Sequence, residues 1–403
     1  MTRAIVHMDL DTFFVSCERL NNSQLNGIPL IIGGGDRGVV ASCSYEARKF
    51  GVRSAMPTSM ALKLCPQAKV IKGDMERYSQ LSHTVTEVIQ ENAPIMEKAS
   101  IDEFYLDITG MDRFYGCYQW TNELAQRVFK ETGLPISYTL SINKTVSKIG
   151  TGEGKPKGNL DIPEDQVQSF LNPLSIKKIP MVGDVTFQLL SRIGIRTIQT
   201  LSEMPAEVLQ RMIGKNGVEL WKKANGIDHN PVEPYTERKS ISTEHTFTQD
   251  TIDIVKLKAI LNGMVEKLAF QLRSEEWLTS IVVVKIRYAN FDTETKQCKI
   301  AYTSADHVLT QKVLGLFDSV YQRRMRLRLV GIRFSGLVRG TYQINLFEDT
   351  QEMLSLYAAM DKMKSRYGFD AVMRCAGAIM KPNTKDIILK RNKISATDYN
   401  DSP

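Results

Sequence analysis

A chain of 403 residues, 42% hydrophobic and 24% charged, exceeds one ordinary core and predicts three or four domains of a water-soluble protein. Acids interrupt the sequence from Asp9 onward, leaving neither a signal-peptide apolar region nor an uncharged run of membrane-spanning length, so a cytoplasmic protein with no membrane partner is expected. The six cysteines (17, 43, 65, 117, 298 and 375) form no CxxC pair and the five histidines are scattered, which argues against zinc or a disulfide framework and leaves oxygen ligands for any metal.

In chain order, residues 4–8 predict a short strand running into Asp9 and Asp11. Residues 12–73 read as a small, mostly helical insert with a Gly-rich turn at Gly33, Gly34, Gly35 and Gly38. Tyr78, Leu81, Val85, Val88 and Ile89 keep helical spacing up to Pro94. Residues 95–99 and 104–108 predict a hairpin with Ser100-Ile101-Asp102-Glu103 at its turn. Leu124, Val128 and Phe129 mark a second helix, and 136–142 another strand. That order suggests an antiparallel sheet covered by two helices on one face. Residues 165–234 are predicted helical, with short turns at Pro180-Met181-Val182-Gly183 and Gly214-Lys215-Asn216-Gly217, each leading into a helix. After a linker (Pro231, Pro234, Glu237-Arg238-Lys239), residues 240–335 repeat a βαββαβ pattern. Lys285 and Arg287 alternate with Val284, Ile286 and Tyr288, so one sheet face should be basic and the other should cover helices. Residues 239–341 hold 16 basic and 10 acidic residues, most of the net +7. Arg323, Arg324, Arg326, Arg328, Arg333 and Arg339 occur there with no acid between them, which favours a polyanionic partner.

Asp9 at a strand end and Asp102-Glu103 on a neighbouring hairpin would form a hard, oxygen-rich site suited to Mg²⁺. Two such ions can align a triphosphate with an attacking hydroxyl. Alone, these acid pairs are weak signals. Their surroundings are specific: Asp9-Leu10-Asp11-Thr12-Phe13-Phe14, Ser42-Cys43-Ser44-Tyr45-Glu46-Ala47-Arg48, Ser100-Ile101-Asp102-Glu103-Phe104-Tyr105-Leu106-Asp107, then Lys148 and Lys155-Pro156. In this order they resemble the Y-family translesion DNA polymerases, closest to the DNA polymerase IV (DinB-type) branch, over residues 4–341.

The resemblance implies an α+β multidomain right hand. Residues 1–11 and 74–164 would be an antiparallel-sheet palm, 12–73 small fingers, and 165–234 a helical thumb with helix-hairpin-helix elements. Residues 235–341 would be the linker and βαββαβ little finger, and 342–403 a clamp-binding motif and tail. It implies an error-prone, template-directed enzyme for damage tolerance, working as a monomer on primer–template DNA and dNTPs with two Mg²⁺. Asp9, Asp102, Glu103 and the Leu10 carbonyl would hold the metals, with Asp11 not a direct ligand. Phe14 would be the steric gate against a 2′-hydroxyl. Ser42, Tyr45, Arg48 and Lys155 would grip the triphosphate, as hydroxyls and a forked guanidinium suit phosphate oxygens. Val39, Ala55 and Met56 would roof the nascent pair. Arg324, Arg326, Arg328 and Arg333 are candidate DNA contacts, the first three on one face of a strand with Met325, Leu327 and Leu329 opposite. Gln343-Ile344-Asn345-Leu346-Phe347 resembles the bacterial sliding-clamp-binding peptide, with Gln343, Leu346 and Phe347 as its anchors. Behind it, Met353, Leu354, Tyr357, Met360 and Met363 keep helical spacing, predicting a docked tail helix.

Three positions depart from the family. Met181 stands in a thumb turn that usually carries Gly, Ser42 replaces a frequent Thr, and Glu153 lies beside the phosphate lysine. Residues 150–156 have the look of an NTPase P-loop, but Ile149 and Pro156 break its spacing. A nucleotidyl cyclase shares paired acids and two metals, yet has no use for a thumb or a basic final domain. A non-catalytic repair adaptor is the third reading, and the full set of acids with Arg48 and Lys155 weighs against it.

Overall fold

The computed structural model describes residues 3–35, 37–111, 116–234, 237–340 and 351–374. Two compact units divide between residues 236 and 237.

In the first unit, β1 (Ile5–Leu10), β5 (Ile95–Lys98), β6 (Glu103–Asp107), β7 (Ile136–Ser141) and β8 (Asn159–Asp161) form one sheet in the order β5-β6-β1-β7-β8. Strand alternation explains its two faces. Val6, Met8 and Leu10 of β1 enter an apolar core with α4 (Met75–Asn92) and α5 (Cys117–Thr132). Each fully buried Val, Met or Leu there stabilises by roughly 1.5–3 kcal/mol relative to exposure. The structure corrects two expectations about this sheet. β8 joins β7 in parallel, and a third helix, α6 (Lys144–Gly154), packs on β1, β7 and β8. Its Val146 and Ile149 belong to a separate core. α6 approaches β7 so closely that a Cβ on Gly150 would lie 2.5 Å from Thr139 Cγ2.

Residues 12–73 are not mostly helical. Beside α1 (Phe13–Asn21), α2 (Tyr45–Lys49) and α3 (Thr58–Leu64), they hold a three-stranded sheet of β2 (Leu30–Gly33), β3 (Val40–Cys43) and β4 (Lys69–Ile71), ordered β3-β2-β4. Strands of three or four residues are too short to show a clear alternation, so the apolar run Leu30-Ile31-Ile32 carried the signal without period.

Short helices follow: α7 (Val167–Leu171), α8 (Asp184–Arg192), α9 (Ile198–Ser202), α10 (Ala206–Ile213) and α11 (Lys215–Ala224). The turn into α11 is tighter than expected. Gly214 alone makes it, at φ 66°, and Gly217 lies inside the helix, where a Cβ would strike the Leu209 carbonyl at 2.2 Å. Met181, before α8, does adopt φ 83°, a left-handed conformation that costs a residue with a Cβ roughly 1–2 kcal/mol.

The second unit is a βαββαβ fold of β9 (Ser240–Thr251), α12 (Ile254–Ser274), β10 (Trp277–Tyr288), β11 (Thr293–Thr303), α13 (Asp306–Val320) and β12 (Leu327–Arg339), with sheet order β11-β10-β12-β9. Val284, Ile286, Val330, Ile332 and Phe334 face the helices. A final helix, α14 (Gln351–Tyr367), docks in the same unit. Arg273 of α12 donates to both Asp361 oxygens (2.6 and 2.9 Å) and to Asp306 (2.6 Å). The Tyr357 hydroxyl lies 2.6 Å from His307 Nδ1. Of the expected apolar stripe, Tyr357 is buried and Met363 is exposed. Met353 and Met360 are half-buried, and ionic contacts join them at the docking face, including a buried Lys364 whose Nζ is 3.8 Å from Glu266 Oε2.

Candidate active site

Antiparallel pairing of β1 with β6 sets Asp9 directly opposite Glu103. Directly opposed side chains share a face, where like charges repel. The Leu10 amide donates to the Asp102 carbonyl (3.0 Å), fixing the Ser100–Glu103 turn against β1. Ser100 holds that turn. Its hydroxyl donates to Asp102 Oδ1 (2.6 Å) and accepts from the amides of Asp102 (3.2 Å) and Glu103 (3.1 Å). Burial pushes the Asp9 carboxyl up to about 7; Asp102 and Glu103 add to the rise, and Lys155 opposes it. Lys155 pairs with Asp9, and Lys148 Nζ lies 2.7 Å from Glu103 Oε2. Asp11, 2% exposed, accepts from the Ser137 hydroxyl (2.9 and 3.0 Å), the Lys157 amide (2.7 Å) and the Tyr45 hydroxyl (3.3 Å). Its oxygens brace the fold behind the site.

A cleft of about 160 Å³ gathers Asp9, Leu10, Phe14, Ser42, Arg48, Asp102 and Lys155, together with Thr12, Phe13, Ala41 and Ser54. Thr12, at φ 44°, turns the chain from β1 into α1 and so aims Phe13 and Phe14. The Phe14 ring stacks on Tyr78 with centroids 4.6 Å apart. Ser44 caps α2 by accepting from the Ala47 amide, which sets Tyr45 and Arg48 on one turn, the guanidinium 4.9 Å over the Tyr45 ring. Tyr45 and Glu103 are not among the residues lining the cleft. Nor are Val39, Ala55 and Met56: Val39 bridges Pro57, and its neighbour Val40 bonds through its backbone to Ala55 and Met56. Glu153 is explained by its partner, Lys178, at 2.5 Å. Ser100, Ser137 and Ser54 were missed by sequence reasoning; only the placement of Ser100 two residues before Asp102 offered a signal.

Among the described residues no three His, Cys, Asp or Glu side chains stand close enough to form a ready-made metal site. Asp9 and Glu103 each hold a lysine instead. The donor set nevertheless fits a hard divalent cation: its atoms are all oxygens, and crowded carboxylates around a partly buried Asp9 gain by sharing one.

The basic residues of the second unit are distributed differently from the expectation. β12 begins at Leu327, so Arg324 and Arg326 precede the strand. The register slips between Leu327 and Leu329, and this bulge turns Leu329 to the same face as Arg333. Lys285, Arg287, Lys299 and Arg333 share the open face by register. Gln343, Leu346 and Phe347 lie outside the described residues.

The impB/mucB/samB family matches residues 8–152, and its C-terminal domain matches 238–346. A DNA polymerase IV of Dehalococcoides mccartyi is 36% identical over 375 residues, 92% of this chain and 96% of the relative. One from Listeria innocua is 35% identical over 340 residues, 83% of this chain and 96% of the relative. Among solved structures, a Y-family DNA polymerase chimera matches with TM-score 0.75 and 25% identity, and DinB from Sulfolobus solfataricus with TM-score 0.60 and 25% identity. Each match covers 84% of this chain and 100% of the other. The chain therefore belongs to the impB/mucB/samB family, the Y-family polymerases of DinB type, and is a DNA-directed DNA polymerase. No helix among the described residues is long and apolar enough to cross a membrane.

Proposed function

We propose that this polymerase copies past damaged template bases in an error-prone manner, as a cytoplasmic monomer, adding deoxynucleotides to a primer 3′-hydroxyl. The observation that carries the reading is the cleft itself, where two acids, an Arg–Ser–Lys anion set and a stacked aromatic ring meet. In this reading residues 1–11 and 74–164 are the palm, 12–73 the fingers, 165–234 the thumb, and 235–341 the linker and little finger. Asp9, Asp102, Glu103 and the Leu10 carbonyl would hold two Mg²⁺, which when bound stabilise the attacking and leaving oxygens. Arg48 offers a planar fork to phosphate oxygens and is held in place by Tyr45. Ser42 adds a hydroxyl, and Lys155 lies where its ammonium can exchange a carboxylate for phosphate. Phe14, backed by Tyr78, presents a rigid wall to the sugar. Residues 343–347 would bind a sliding clamp.

Asp102→Ala or Glu103→Ala should abolish primer extension with Mg²⁺ and four dNTPs while duplex binding stays nearly intact, because affinity for DNA comes from basic residues elsewhere. A Glu103→Ala protein retaining more than about a tenth of the wild-type rate, a loss under ~1.4 kcal/mol, would refute the site.

A further inference from the structure

The four-residue turn joining β10 to β11, Ala289-Asn290-Phe291-Asp292, carries an aromatic ring that the fold does not require. Phe291 is 60% exposed and sits at φ 71°, where Gly or Asn would be accommodated at little cost and a bulky residue is an outlier. The surrounding structure forces it there. The Phe291 amide donates to the Tyr288 carbonyl (3.0 Å), the Tyr288 amide to the Asp292 carbonyl (2.9 Å), and the Ala289 amide to the Arg326 carbonyl (2.9 Å). Asn290 and Asp292 bond each other (2.8 and 3.0 Å). Arg323 clamps the turn through Asp292 (2.9 Å) and Glu294 (3.2 Å). A strained residue held by so many bonds points to use rather than accident.

The ring's neighbourhood indicates what it meets. The Arg328 guanidinium lies 4.5 Å from its centroid. Arg324 and Arg326 are exposed nearby in sequence, and Arg287 occupies the end of the adjoining strand. A guanidinium stacked on an aromatic ring among cations is a combination suited to single-stranded nucleic acid, where base faces are open. Paired bases inside a duplex have both faces covered by neighbours and offer such a ring nothing to stack on. We infer that Phe291 and Arg328 form a stacking platform for an unpaired base of the template strand. This rests on the polymerase reading above, and adds to it a contact made by a π-face instead of by charge.

Affinities of wild-type, Phe291→Ala, Phe291→Leu and Phe291→Trp proteins should be measured on a blunt duplex and on the same duplex with a single-stranded 5′ overhang. The overhang should tighten wild-type binding. Phe291→Ala and Phe291→Leu should each lose about tenfold of affinity on the overhang substrate alone, the scale of a single base stack. Phe291→Trp should keep it, and the salt slope should not change, because every phosphate remains as neutralised as before. Leu tests whether apolar bulk suffices: wild-type behaviour of Phe291→Leu would overturn the inference. So would equal losses on both substrates, which would mark a duplex or purely structural contact. A wild-type protein that fails to extend a primer would remove the polymerase reading; one that extends while Phe291→Ala binds the overhang normally would remove this inference alone.

Discussion

Phe14 tests whether one side chain can be both packed and functional. Its ring stacks on Tyr78, and it also lines the cleft beside Asp9 and Arg48. Phe14→Ala removes the stack, worth about 0.5–1.5 kcal/mol, and with it the wall proposed to be felt only by a 2′-hydroxyl. Specificity set by repulsion relaxes when the repulsive group goes. Ribonucleotide incorporation should rise at least ~10-fold, equivalent to roughly 1.4 kcal/mol of relieved clash, with little loss of deoxynucleotide use in single-nucleotide kinetics. Unchanged ribonucleotide use would make Phe14 core packing. Asp9, Asp102, Phe14, Ser42, Arg48 and Lys155, which the structure gathers in one cleft, could be picked out in the sequence because each lies in a specific local motif. Of the hydroxyls that hold the acids, only that of Ser100 lies close enough in sequence to offer a signal. Ser137 reaches Asp11 across 126 positions, and only the folded register reveals such a partner.

At the scale of elements, long periodic segments were legible and short ones were not. α4, α12 and the strands of the second unit show their periods over many residues. β2, β3 and β4 are three or four residues each and fold as a sheet only by pairing with one another. The bulge in β12 was equally hidden, since one slipped residue reverses every later side chain. Its consequence is a revised candidate for the DNA-contacting face. Arg287→Gln with Arg333→Gln should weaken primer–template binding regardless of sequence. The slope of log affinity against log salt should flatten by roughly 0.9 for each phosphate no longer neutralised. An unaltered slope would show that this sheet face does not meet DNA. Met181 gives a second test. Met181→Gly relieves roughly 1–2 kcal/mol of left-handed strain and gives back roughly 0.5–1 kcal/mol in unfolded-chain entropy. The side chain is 65% exposed, so little packing disappears with it. A net gain of about 0.5–1 kcal/mol should appear as a higher unfolding midpoint, and a lower one would mean that Met181 packs well enough to outweigh its strain.

For the whole molecule, the proposed clamp contact would set how the enzyme meets its substrate in a crowded cell. Residues 340–350 join β12, which ends at Arg339, to α14, which begins at Gln351. Both flanks belong to the second unit, and α14 is held there by Arg273, Asp361, Tyr357 and His307. The proposed clamp-binding peptide, residues 343–347, lies between these two elements in the sequence. Leu346 and Phe347 would fill an apolar pocket while the Gln343 amide makes oriented hydrogen bonds, a peptide-in-groove mode. A weak contact suffices, because attachment to a ring around DNA raises the effective concentration of primer ends and gives roughly 10²–10⁴ in avidity. Leu346→Ala with Phe347→Ala should leave extension by the isolated enzyme unchanged and remove its stimulation by the cognate clamp, measured as product length on a long primed template. Undiminished stimulation in that double variant would show that the segment is structural and that any clamp contact lies elsewhere.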